Sequence, residues 1–118
     1  MSVVVYEITA PGIARIAINR PDKRNAVSPE ARNALIDVVS NALGDNTVRA
    51  IVISSTEGHF CAGGDIDSMT NWDVSSGRVR MKENHRLVRL LAEAEKPIVA
   101  GVEGFAVGAG AGIALLCD

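Results

Sequence analysis

Residues 3–8 and 13–18 are rich in Val and Ile and read as two short β-strands. Between them stands Ala10-Pro11-Gly12, where proline presets φ and glycine accepts a positive φ, so a hairpin is expected. Residues 19–26 form a polar loop. Ser28-Pro29 then opens a helix, with serine as N-cap and proline at the first helical position. Ala31, Ala34, Leu35, Val38, Val39 and Ala42 recur at helical spacing, and Gly44 supplies a stop. Residues 48–54 are continuously apolar in their middle and predict a buried strand. Residues 68–77 are polar and mixed and predict a mobile or partly helical connector. Leu87, Leu90, Leu91 and Ala94 then give a helical stripe reaching to about Glu95, because Pro97 forbids continuation. Residues 98–102 predict another strand, and residues 108–117 a small-residue helix packed tightly inside.

The order strand, helix, strand across residues 48–102 is a βαβ unit, whose strands run parallel. The fold class is therefore α/β, with a parallel sheet core and flanking helices. Loops leaving the carboxyl ends of parallel strands share one edge of the sheet, where α/β proteins bind ligands. Both such loops here are unusual. The first is His59-Phe60-Cys61-Ala62-Gly63-Gly64-Asp65, and the second runs from Gly104 to Gly112 with little but Gly, Ala and Val. Adjacent glycines leave backbone N–H groups uncovered by side chains. The two loops are expected to meet and to hold one ligand oxygen between N–H groups, forming an oxyanion hole. A helix starting at the second loop adds its partial positive charge.

Composition narrows the class further. A length of 118 residues is one domain, and an apolar share of 47% supports a core. A net charge of −2 without a polybasic cluster gives no case for nucleic acid as partner. Glu103 interrupts the longest apolar region, so no membrane span is expected. The start Met-Ser-Val-Val-Val-Tyr-Glu has no basic n-region, and Cys61 and Cys117 show no CxxC spacing, so a reduced, cytoplasmic setting is expected.

Three stretches, Asn19-Arg20-Pro21-Asp22-Lys23-Arg24-Asn25-Ala26, His59 through Ile66, and Lys96-Pro97-Ile98-Val99-Ala100-Gly101-Val102-Glu103-Gly104 onward to Asp118, occur together in one order and spacing. Jointly they resemble the crotonase (enoyl-CoA hydratase/isomerase) superfamily, from about Val3 to the last residue. The resemblance implies a crotonase-like spiral of ββα units and an acyl-coenzyme A thioester substrate. No separate cofactor is implied, since coenzyme A arrives as part of the substrate. It implies that the backbone N–H groups of Gly64 and Ala109 hold the thioester carbonyl. Ala62, Gly63, Gly64, Asp65 and Ile66 would border the adenine and pantetheine, with Val107 and Gly108 on the second loop. Arg24 and Ala26 would lie near the nucleotide, where Arg24 or Lys23 could pair with a phosphate. The family's motif usually carries glycine where Ala109 stands; alanine keeps the N–H.

Members of that superfamily are longer, and this chain resembles their N-terminal half. The run Ile113-Ala114-Leu115-Leu116 ends at Cys117-Asp118 without a helix cap. Residues 1–118 are accordingly expected to be the N-terminal part of an acyl-CoA-binding core, truncated at the C-terminus. Homotrimers or hexamers are implied by resemblance alone. One departure matters: where hydratases of the family carry a catalytic glutamate, this chain has Gly112. Hydration needs groups that activate water and protonate carbon. An isomerase is therefore favoured over a hydratase, the alternative being a catalytically silent CoA-thioester-binding or structural subunit.

Blander readings of the same residues compete. Cys61 without a fixed basic partner reads as a small hydrophobe and not as a nucleophile. His59 with Cys61 lacks the further ligands of a zinc site, so no metal is expected. Asp65 is expected to cap the following turn or to accept N–H bonds of the loop. The glycines at 108, 110 and 112 do not make GxGxxG, and could serve close helix packing. Glu83, Glu93 and Glu95 are expected to be solvated on the helix that ends near Glu95.

Overall fold

The computed structural model describes residues 2–70 and 72–118; Met1, and Asn71 within the expected connector, lie outside the described residues. Strand β1 (Val4–Ala10) and strand β2 (Ile13–Ile18) form the expected antiparallel hairpin, Val4 opposite Ile18 and Ala10 opposite Ile13, with an irregularity between Ile8 and Ala10. Gly12 closes the turn at φ +79°, a conformation that a side chain would strain. Helix α1 (Pro29–Gly44) starts as its sequence requires, with the Ala31 N–H donating to Ser28 Oγ at 3.1 Å. Strand β3 (Ala50–Ser55) pairs parallel with β2, Ile16 opposite Ile53. Helix α2 (Val74–Ala92) leads to strand β4 (Ile98–Ala100), parallel to β3, and helix α3 (Ala109–Leu116) follows.

The sheet order is β1-β2-β3-β4. The chain thus contains two parallel crossovers, β2-α1-β3 in addition to the expected β3-α2-β4. Ile16, Ile18, Ile51, Ile53 and Ile98 bury one face of the sheet against Leu35 and Val39 of α1, Leu87 and Leu91 of α2, and Ile113 of α3. Burial of each such side chain is worth about 1.5–3 kcal/mol. Among the described residues no helix is long and apolar enough to cross a membrane.

Both ends of α2 and the end of β4 differ from expectation. Helix α2 begins at Val74, inside the expected connector, because Asp73 and Ser76 form a reciprocal capping box: the Ser76 N–H donates to Asp73 Oδ1 (2.8 Å) and the Asp73 N–H to Ser76 Oγ (3.0 Å). It ends at Ala92, not near Glu95. There Lys96 Nζ reaches across to the carbonyls of Ala42 (2.9 Å) and Asp45 (2.8 Å) at the end of α1, drawing residues 93–96 off the helix axis. Strand β4 stops at Ala100 because the following residues leave it to pair with residues 60 and 61.

Since β2, β3 and β4 run parallel, the loops after them (residues 19–28, 56–65 and 101–108) all leave one edge of the sheet. The glycines of α3 then play unequal parts. A Cβ at Gly110 would overlap the Cys61 carbonyl oxygen and lie 2.7 Å from Cys61 Cβ, whereas one at Gly112 would meet nothing within 4 Å. Close packing is thus the role of Gly110 and not of Gly112. Gly110→Ala should destabilise the protein by about 1–3 kcal/mol. Gly112→Ala should be neutral or stabilising by up to about 1 kcal/mol. Urea denaturation of the two variants compares them directly, and equal effects would contradict the packing described.

Candidate functional site

The three loops are joined main chain to main chain. On one side of the first glycine loop, Phe60 N–H donates to the Glu103 carbonyl (2.7 Å), Cys61 N–H to Phe105 (2.9 Å), and Val107 N–H back to Cys61 (3.1 Å). On the other side, Ala62 N–H donates to Arg24 (3.1 Å), Val27 N–H to Gly63 (2.8 Å), and Asp65 N–H to Val27 (3.2 Å). Residues 60–65 are in effect a short central strand of a second, smaller ladder.

Side chains explain why the loops dock this way. Asn25 is fully buried at φ +59°, a region that asparagine tolerates better than most residues. Its Nδ2 donates to the carbonyls of Glu57 (3.2 Å) and His59 (2.6 Å), and its Oδ1 accepts from Arg20 N–H (2.7 Å). That one amide ties the loop after β2 to the loop after β3. His59 makes the next link: its Nδ1 accepts from Phe105 N–H at 2.9 Å, and the two rings stack with centroids 4.1 Å apart. Gly104, at φ +59°, allows that stack, because a Cβ there would overlap His59 Nδ1. Backbones approach closely elsewhere too, since a Cβ at Gly63 would come within 3.1 Å of the Val107 carbonyl.

Main-chain N–H groups in a folded protein are nearly always paired, so those left over mark a place for a ligand. Those of Cys61, Ala62 and Asp65 donate to carbonyls, and that of Gly63 to Cys61 Sγ at 3.4 Å. Gly64 N–H has no acceptor among the described residues. On the second loop, Gly110 N–H donates to Val107 and Gly112 N–H to Gly108, while the N–H groups of Gly108, Ala109 and Ala111 have none among the described residues. Of these, Ala109 shares with Gly64 the lining of one cavity of about 240 Å³. Ala109 is also the first residue of α3, so the positive end of that helix faces the same space.

Gly64 has a second cavity on its other side, of about 430 Å³, lined with Arg24, Ala26, Ala62, Asp65 and Ile66 among others. Gly64, Ala109, Arg24, Ala26, Ala62, Asp65 and Ile66 therefore line two cavities that share Gly64. Gly63, Val107 and Gly108 form the backbone seam between the two loops. The three cations of the first loop differ in use. Arg20 donates to the Ala26 carbonyl and approaches Asp65 Oδ2 at 3.4 Å, and Lys23 approaches Asp67 Oδ2 at 3.3 Å. Arg24 forms no ion pair among the described residues and stands 6.0 Å from the Phe105 ring centroid. Asp65 corrects one expectation: its side chain caps no turn but faces Arg20, while its carbonyl accepts from Ser68 Oγ at 2.7 Å. Burial pushes the Cys61 thiol up from its ordinary value, so it stays neutral and behaves as a hydrophobe. Among the described residues no group of His, Cys, Asp and Glu could hold a metal ion.

Residues 9–118 match the family described as Enoyl-CoA hydratase/isomerase. The chain belongs to this family. It is 34% identical over 107 residues to a short-chain-enoyl-CoA hydratase of Clostridium acetobutylicum, a match covering 90% of this chain and 41% of that protein. Among solved structures it resembles an enoyl-CoA hydratase/isomerase from Xanthobacter autotrophicus (TM-score 0.93, 28% identity, 99% of this chain and 44% of the other). It resembles Pseudomonas aeruginosa AtuE comparably (TM-score 0.92, 34% identity, 98% and 46%). The chain thus spans less than half the length of these relatives. The fold is that of the crotonase superfamily, carried in part.

Among the cavity-lining residues that sequence alone does not single out are two arginines, Arg32 and Arg80. Arg32 lies one residue after Ala31 and at helical spacing from Leu35 and Ile36, so helix geometry places it on the buried face of α1. Asn25 also went unremarked as a side chain. Asn25→Ala should leave the His59 carbonyl and the Arg20 N–H unpaired, the Glu57 carbonyl still accepting from His59 N–H, and cost at least about 2 kcal/mol of stability. Thermal and urea unfolding would register the loss; an unchanged midpoint would show that the loops dock without it.

Proposed function

We propose that the chain acts on an acyl-CoA thioester, with the N–H groups of Gly64 and Ala109 receiving the thioester oxygen. One observation carries this assignment. Two backbone donors from different loops, both without an acceptor among the described residues, line a single cavity beside a helix N-terminus. Negative charge developing on a carbonyl oxygen there meets donors already in position, and no reorganisation is needed when it forms. Membership of the enoyl-CoA hydratase/isomerase family supports thioester chemistry. The adjoining larger cavity, with Arg24 lacking an ion-pair partner, suits the nucleotide end of coenzyme A.

Within that chemistry we favour isomerisation over hydration. A base removes a proton next to the thioester carbonyl, the charge passes to the oxygen between the two N–H groups, and a proton returns elsewhere on the acyl chain. Gly112 supplies no carboxylate for activating water, although open space beside it would admit one. The base is then supplied from outside these residues. The same observation also fits a subunit that binds the thioester without turning it over.

Ala109→Pro gives a clean test. Proline suits the first position of a helix, and the preceding Gly108 (φ 56°, ψ −121°) sits in the mirror image of the extended region that precedes proline. The substitution removes one donor and little else. In the protein as encoded, kcat on its thioester substrate should fall about 10²–10³-fold. Unchanged turnover with an intact fold would refute the assignment, and rapid hydration of crotonyl-CoA would overturn the preference for isomerisation.

A further inference from the structure

The cavity shared by Gly64 and Ala109 has two guanidinium groups in its wall, and binding a thioester carbonyl makes no use of them. Arg32 comes from α1 and Arg80 from α2. Arg32 is only 7% exposed, and its Nε has no hydrogen-bond partner. Its Nη1 donates to Asn84 Oδ1 at 3.3 Å. Arg80 donates from Nη1 to Ser68 Oγ at 3.1 Å, and its guanidinium lies 4.8 Å from the centroid of the Trp72 ring.

Charge balance makes this unusual. Neither arginine has an ion-pair partner among the described residues. The carboxylate nearest in influence, Glu83, is held by Arg86 at 2.9 Å. Burial lowers the proton affinity of Arg32; Glu83 opposes the shift, and the like charges of Arg80 and Arg86 add to it. A buried cation with an unused donor is expensive to maintain unless an anion joins it. Guanidinium groups are suited to carboxylate, which they can hold in a planar, two-point geometry. Met69, Trp72 and Met81 add apolar surface to the lining, which would accept methylene groups. At about 240 Å³ the space takes a short chain.

We propose that the acyl group ends in a carboxylate held by Arg32 and Arg80, so that the substrates are short dicarboxylic acyl-CoA thioesters. This rests on the assignment of Gly64 and Ala109 to the thioester carbonyl in the same cavity. The carbonyl is bound at one wall and the distal charge at another, which fixes both ends of the acyl chain and excludes plain fatty acyl groups by leaving the cations unpaired.

Isothermal titration of the protein as encoded tests this with three unreactive probes: glutaryl-CoA, pentanoyl-CoA of equal carbon number, and free coenzyme A. Glutaryl-CoA should bind about tenfold or more tightly than pentanoyl-CoA. Arg80→Met should abolish that preference while leaving pentanoyl-CoA and free coenzyme A within about twofold of their original affinities. Arg32→Met should do the same if it folds, which circular dichroism checks; Arg80, being half-exposed, keeps the test open if it does not. Equal affinity for the two thioesters overturns the proposal and leaves the thioester assignment standing. A uniform weakening of all three ligands in Arg80→Met also overturns it, since the arginines would then be serving a nucleotide phosphate. Failure of every probe to bind would remove the thioester assignment itself.

Discussion

The strip of main chain from Phe60 to Asp65 is hydrogen-bonded along both of its edges, and the rest of the site depends on that constraint. Backbone N–H groups are the only donors in a protein whose direction is set by the chain path and not by a rotamer. Pairing both edges fixes that path. It also uses up the donors on either side of Gly64, so the one N–H left over is singled out by elimination. Asn25 and His59 brace the strip from outside, each using a side chain to replace a backbone partner that the loop geometry cannot provide.

Electrostatically the site is divided. One wall offers partial charges on amides and a helix end, suited to an oxygen whose charge exists only during reaction. Another offers full charges on Arg32 and Arg80, suited to an anion present from the start. Met69, Trp72 and Met81 line the same cavity.

Much of this architecture was legible in the sequence. The hairpin, the α1 start at Ser28-Pro29 and the β3-α2-β4 crossover rest on local rules that tertiary packing reinforces. The glycine loops were legible because glycines in such numbers after buried strands signal close backbone approach, and Gly63, Gly104 and Gly110 each meet a neighbour that a Cβ would disturb. What escaped was of two kinds. The early start of α2 was signalled by Asp73 and Ser76, but Gly77 just beyond them reads as a breaker, and a reciprocal cap outweighs one glycine. Arg32, Arg80 and Asn25 escaped because polar residues read as solvated until three-dimensional packing shows what surrounds them.

Gly64 and Ala109 contribute main-chain atoms, and this has a bearing on how such a protein changes over generations. Most substitutions at either position alter a side chain and leave the donor in place; only proline removes it. The open Cβ position at Gly112 is the opposite case, a place where a single codon change introduces a new functional group without disturbing its neighbours. Under the proposed assignment, a lineage built this way can exchange one reaction for another while the hold on its substrate's carbonyl is inherited unaltered.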